Sequence, residues 1–159
     1  MDLWFDELEV GYSVTSEPHL LTKEAIIRFA KEFDPQPFHI DEAAAAETFF
    51  GRLIASGAHT YALTMRLGVN VGVFTGKAVA GLGVDDMRFH KPVLPDTFVT
   101  SRFTVKALRS SRTKPTLGIV DWQADTFEEA GTRAFSCVIR NLVRGNPETM
   151  AEKQDSDRR

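Results

Sequence analysis

The chain has 159 residues, 43% of them hydrophobic and 26% charged, with a formal net charge of −3. This is the balance of one globular domain with room for a proper core, and the absence of a basic stripe counts against nucleic acid as a partner. No apolar run approaches membrane-spanning length, the N-terminus lacks a leader's basic flank and apolar core, and the single cysteine, Cys137, excludes an internal disulfide, so the cytoplasm is the expected compartment.

Residues 1–20 show no period, and Trp4, Phe5, Leu8 and Val10 are available to dock on the domain. Gly11-Tyr12 leads into a short strand or turn ending near His19. Thr22 suits an N-cap, with Glu24 in the positive first turn of the helix that follows. Ile26, Phe29, Ala30 and Phe33 fall at i, i+3, i+4 and i+7 and give that helix one apolar face. It must stop near Phe33, because Pro35 disfavours helical geometry at Asp34. The next stretch, Asp34-Pro35-Gln36-Pro37-Phe38-His39, sets an acid and a histidine five positions apart in a loop fixed by two prolines. Such a pair can converge on one water molecule with little entropy left to lose. Asp41 is placed to cap a short Ala-rich helix reaching Thr48.

Gly51 breaks the chain again, and from Gly57 to about Val71 the pattern predicts a second long helix. Its stripe is Ala58, Tyr61, Ala62, Met65 and Val69, widened by Leu63 and Leu67, and a helix apolar on most faces is expected to be buried. Beyond Gly76 the period changes from about 3.6 to 2. Val79 to Phe89 reads as a strand, with a phase shift at Asp85-Asp86 that suggests a bulge. Pro92 to Asp96 is a turn. Val99, Ser101, Phe103 and Val105 alternate in the next strand, Val120, Trp122 and Ala124 in another, and Phe135, Cys137, Ile139 and Val143 in the last, after a hairpin turn at Glu128 to Gly131. Strands joined by short turns imply an antiparallel sheet. The expected architecture is therefore α+β, a twisted antiparallel sheet wrapped around the apolar helix, in one domain over 1–145. Residues 146–159 are polar and aperiodic and read as a frayed tail.

Three features of this order resemble the MaoC-like hydratase/dehydratase branch of the hotdog fold, which includes the (R)-specific enoyl-CoA hydratases. They are the Asp-x4-His motif at Asp34 and His39 with Asp41 following, the Ile54-Ala55-Ser56-Gly57 entry to the central helix, and the aromatic-x-x-Pro-Val step at Phe89-His90-Lys91-Pro92-Val93. The family commonly carries Gly where Phe33 stands, Asn at Gln36, His at Ser56 and, in the best-known bacterial hydratases, Ser at Met65. The acid, the histidine and the glycine are intact.

The resemblance implies reversible addition of water to a trans-2-enoyl thioester. Asp34 and His39 would be the catalytic pair, taking a proton from water as it attacks C3 and supplying one at C2. The backbone N–H of Gly57 would donate to the thioester oxygen with the helix dipole behind it. Ser56, the expected N-cap, stands beside it in the thioester site, and Phe38, Phe49, Tyr61 and Met65 are candidates for the acyl pocket. The substrate would be an acyl-CoA or acyl-carrier thioester, with coenzyme A present as part of the substrate and no separate cofactor. A homodimer or dimer of dimers is implied, with the sites near the subunit interface. The four histidines (19, 39, 59 and 90) show no metal-helix spacing, so no metal site is expected. Cys137 lies on an apolar strand face and reads as a core thiol. Two other activities fit the same fold: a hotdog thioesterase, which the Asp-x4-His spacing disfavours, and a non-catalytic acyl-thioester binder.

Overall fold

A computed structural model describes residues 3–149. The N-terminal segment forms a short 3-10 turn, Phe5–Glu7, and two short strands, β1 (Ser13–Thr15) and β2 (His19–Leu21). Four helices follow: α1 (Lys23–Phe33), α2 (Pro37–Ile40), α3 (Glu42–Ala46) and α4 (Gly57–Asn70). The long strands are β3 (Ala78–Phe89), β4 (Thr97–Ser110), β5 (Leu117–Glu128) and β6 (Arg133–Arg144). All pairings are antiparallel, in the order β1-β4-β5-β6-β3, with β2 pairing the other end of β4. This is the α+β layout that the change of period implied, with the inner face of the sheet packed on α4.

The caps fall where the sequence put them. Thr22 Oγ1 accepts from Ala25 N, Asp41 Oδ1 from Ala44 N and Ser56 Oγ from Ala58 N, at 3.2, 2.7 and 3.1 Å. Each satisfies an orphan donor of a first helical turn. Pro37 does more than lock a loop. It is the first residue of α2, where its missing N–H costs nothing and its fixed φ favours the helix.

In the sheet, Val99, Ser101, Phe103, Val105, Val120, Trp122, Ala124, Phe135, Cys137, Ile139 and Val143 are all buried, as their alternation requires. The register of β3 against β6 slips between Asp85 and Arg88, and Asp86 takes a φ of 52°, so the phase shift in the sequence is a bulge. The core forms two apolar clusters. One gathers α1, the 53–55 segment and the Leu63 and Leu67 side of α4; the other is aromatic-rich and centred on Phe103, Trp122 and Phe135.

Four expectations need correction. The buried face of α4 is Thr60, Leu63, Thr64, Leu67 and Gly68, while Ala58, Ala62 and Val69 face outward. The sheet offers a hydroxyl partner to Thr64 and the helix backbone offers an acceptor to Thr60, and the alanines lose little by exposure. Phe33 is 63% exposed, although Ala30 in the same last turn of α1 is buried. Val10 is 65% exposed, whereas Phe5 docks so closely on Gly118 of β5 that a Cβ there would collide with its ring. The beginning of the expected tail is tied down: Gly145 N bonds Thr116 O at 2.9 Å and Asn146 N bonds Asp6 Oδ2 at 2.8 Å. The remainder of that tail, from residue 150, lies outside the described residues. No helix among the described residues is long and apolar enough to cross a membrane.

Candidate active site

Asp34 is the C-cap of α1. Its N–H still bonds Ala30 O, but its backbone has left helical geometry (φ −153°, ψ 69°) ahead of Pro35. The carboxylate thus turns away from α1 toward the N-terminus of α4. There Ser56 Oγ donates to Asp34 Oδ2 at 2.6 Å, and Gln36 Nε2 donates to Oδ1 at 2.8 Å. These two hydrogen bonds, in that order, hold the Asp34 carboxyl below its ordinary range; burial opposes them and His39 adds a smaller favourable contribution. Asp34 is therefore a carboxylate at neutral pH, fixed from both sides.

His39 sits on the first turn of α2, 4% exposed. Its Nδ1 lies 2.8 Å from Ile54 O. A carbonyl only accepts, so Nδ1 carries the proton and Nε2 of the neutral ring keeps its lone pair. That Nε2 faces Asp34 Oδ2 at 3.5 Å, beyond a strong direct hydrogen bond but suited to a shared water. Phe38 packs edge-on against the imidazole at 4.4 Å between centroids, and its own carbonyl accepts from Ile54 N at 3.1 Å. The His39 ring is thus held by one backbone strand on one side and an aromatic ring on the other.

Gly57 opens α4 beside this pair. The Ser56 cap is spent on Ala58, and no group among the described residues accepts the Gly57 N–H. A Cβ at Gly57 would meet the Phe89 ring at 2.7 Å, so close approach at this position is a property of the fold as well as of any ligand.

A cavity of about 520 Å³ joins these groups. Asp34, Gln36, Phe38, His39, Gly57 and Thr60 line one side, Phe50 and Ile54 another, and the Phe89–Val93 segment with Ala134 the third. Of the expected acyl contacts, Phe38 borders this space. Phe49 is 98% exposed, and Tyr61 and Met65 pack against the aromatic cluster under the sheet; the apolar lining of the cavity includes Phe50, Ile54, Phe89 and Val93 instead. Aromatic residues in a turn carry no period, so the exchange of Phe49 for Phe50 had no sequence signal. Two polar residues of the Phe89–Val93 motif also border the cavity, with partners that the sequence did not reveal. His90 Nε2 lies 2.8 Å from Ser136 Oγ, and Lys91 is paired with the buried Glu128 at 2.6 Å. Neither partner is near in sequence. No three side chains of metal-ligating type converge among the described residues. A second cavity of about 500 Å³ lies between β1, β4 and the end of β5, lined by Phe98, Arg102, Phe127 and Glu129, and it holds no acid–base pair with histidine.

The arrangement offers a carboxylate and an imidazole lone pair aimed at a common point, with an unspent helix-start N–H on the same cavity. It can hold a water, take its proton and stabilise an oxyanion.

Known proteins resemble this chain in sequence and in fold. The uncharacterised protein YdeM of Bacillus subtilis is 32% identical over 140 residues, covering 87% of this chain and 97% of its own length. The crystal structure of a MaoC-like dehydratase from Rhodospirillum rubrum superposes with a TM-score of 0.86 at 37% identity, over 91% of this chain and 99% of that one. An (R)-hydratase from A. caviae involved in PHA biosynthesis superposes at 0.69 with 26% identity, over 87% and 98% of the two chains. A Mycobacterium tuberculosis protein described as a double hotdog fold aligns at 0.77 with 16% identity, over 92% of this chain and 45% of that one, and shows the architecture alone. Residues 8–126 match the model of the MaoC like domain, and the chain belongs to that family of hotdog proteins.

Proposed function

We propose that the protein reversibly adds water across the double bond of a trans-2-enoyl thioester of coenzyme A, with Asp34 and His39 activating the water and Gly57 N–H receiving the charge. The observation that carries this is the tautomer of His39. Because Nδ1–H is committed to Ile54 O, Nε2 is a base directed at the point Asp34 also faces. Water held there gives one proton to Nε2 as its oxygen bonds to C3. The electron pair of the alkene moves into the thioester as an enolate, whose oxygen meets the Gly57 N–H. The imidazolium, steadied by Asp34, then returns a proton at C2, so one water is consumed and the C–S bond stays intact. Removing one oxyanion donor typically costs on the order of 10²–10³ in rate. The hydratase and dehydratase activities named for the relatives support this reading.

The site stands at one end of an edge strand. Among the described residues β3 pairs only with β6, its Val79, Leu82, Val84 and Phe89 are exposed, and the Phe89 ring borders Gly57 at the start of α4. A free edge bordered by apolar side chains favours pairing with a second copy. We read this face as the surface of a homodimer or a dimer of dimers, and the cytoplasm as its setting.

The test is purified protein with crotonyl-CoA, following loss of the conjugated enoyl absorbance while a thiol reagent reports free coenzyme A. Absorbance loss without free thiol, abolished in Asp34→Asn and His39→Ala, is the expected result. Release of thiol would make the protein a thioesterase. Silence on both channels across short, long and branched enoyl thioesters, with tight acyl-CoA binding, would make it a binder.

A further inference from the structure

We propose that Thr60 is a positioning residue for the Gly57 donor, acting through the Ser56 carbonyl and backed by a buried row of hydroxyls that reaches the sheet. The inference rests on the function proposed above. Ser56 O accepts from Thr60 N at 3.0 Å and from Thr60 Oγ1 at 3.3 Å. This carbonyl belongs to the same peptide unit as the Gly57 N–H. Hydrogen bonds to a carbonyl draw charge toward its oxygen and leave the attached N–H a stronger donor, by about 10–30% per bond. Thr60 borders the cavity, yet its hydroxyl is turned back onto the helix backbone.

Behind Thr60 the row has a fixed direction. Thr64 Oγ1 lies 2.9 Å from Thr60 O, and since a carbonyl only accepts, the Thr64 hydroxyl donates there. Its oxygen is then left to accept from Thr126 Oγ1 at 2.7 Å, and Thr126 in turn accepts from Ser101 Oγ at 2.7 Å. Thr64, Thr126 and Ser101 are 0–1% exposed. Replacing such hydroxyls by apolar groups of the same shape can be nearly neutral for stability. A directed polar row adds what valines would lack, since it fixes the rotation and depth of the first turns of α4 on the sheet, and with them the aim of the Gly57 N–H. Each hydroxyl of the row spends its one proton on a defined acceptor, which restrains its rotation.

The experiment compares wild type with Thr60→Val and Thr60→Ser. It reads the kinetics on crotonyl-CoA and the infrared carbonyl stretch of bound butyryl-CoA labelled with carbon-13 at the thioester, a saturated ligand that cannot turn over. If about 10–30% of the free energy behind a donor's 10²–10³-fold effect passes through Thr60, Thr60→Val lowers kcat about two- to eightfold with KM little changed. Its bound carbonyl stretch should move back toward the free value, and Thr60→Ser should restore both. Thr60→Ala serves as the second hydroxyl-free variant should Thr60→Val fold poorly by circular dichroism. A hydroxyl-free variant with wild-type kcat and wild-type carbonyl frequency overturns the proposal while leaving the hydratase reading intact. A wild-type protein that hydrates no enoyl thioester and shifts no carbonyl removes the parent reading and this inference with it.

Discussion

The strands β4 to β6 and the short segment from Asp34 to Gly57 both bury polar groups, but they leave them in different states. On the sheet, Ser101 and Thr126 bond each other and, through Thr126, Thr64 of α4, and burial first, with Asp125 a smaller contribution, pushes the Cys137 thiol up to about 12. These groups are inert because their protons are committed within the core or the charged form is excluded. Between Asp34 and Gly57 the three groups that border the cavity are held in place and still keep a position open. Asp34 is gripped by Ser56 and Gln36, His39 by Ile54 O, and the Gly57 N–H is left over by its own cap. The contrast locates function in residual valence at pinned groups, not in burial itself.

The largest predicted effects should separate the two regions completely. Asp34→Asn or His39→Ala should lower kcat/KM for crotonyl-CoA by about 10²–10⁴-fold, with the melting temperature close to wild type. On the sheet, Phe103→Ala should instead cost about 3–5 kcal/mol in urea unfolding while the folded fraction keeps its kcat. A sheet variant that lost rate without losing stability would blur the division.

Ser56→Ala tests the pinning. Its hydroxyl contributes most to lowering the Asp34 pKa, so the variant's pKa should rise and the acid limb of its rate profile should move to higher pH. The stability sign follows from the same shift. A carboxyl depressed in the folded state contributes stability above its unfolded pKa, and this is lost as pH falls through the folded value. That loss, read as urea stability at neutral minus acidic pH, should shrink in Ser56→Ala.

His59 sharpens the comparison, because it is a histidine of the site's neighbourhood treated as the sheet treats its groups. It stacks on Phe29 at 4.4 Å, its Nδ1 is buried without a partner, and burial, Arg28 and His19, in that order, push its pKa down to about 4. Folding therefore favours the neutral ring. The resulting stability is full above 6.5, the unfolded value, and should fall as pH drops from there toward about 4. His59→Phe should flatten that slope and leave the rate profile unchanged. The smallest effect belongs to the exposed pair Lys23–Glu42 at 3.2 Å, where Lys23→Ala should cost about 0–1 kcal/mol, less in high salt.

Much of this division is visible in the residues. Alternation marks the inward rows of β4, β5 and β6 because successive side chains point to opposite faces and one face packs on the core. The caps at Thr22, Asp41 and Ser56 are local chemistry, and so is the stop at Pro35. The Asp34–His39 spacing names the pair before any coordinates, since two prolines leave that stretch few conformations. What stays hidden is tertiary. The second bond of Ser56 spans 22 positions to Asp34, and that of Thr64 spans 62 to Thr126. No periodicity could show that α4 turns its threonines inward, because apolar residues occur on most of its faces. Phe49 and Phe50 are equal in sequence, and only the fold decides which of them meets Phe38.

The most direct test of the central claim is to run crotonyl-CoA in water enriched in oxygen-18 and locate the label by mass spectrometry. The account predicts label in the C3 hydroxyl of an intact 3-hydroxybutyryl thioester, absent in His39→Ala. Label in a free carboxylate, with the alkene untouched, would contradict it.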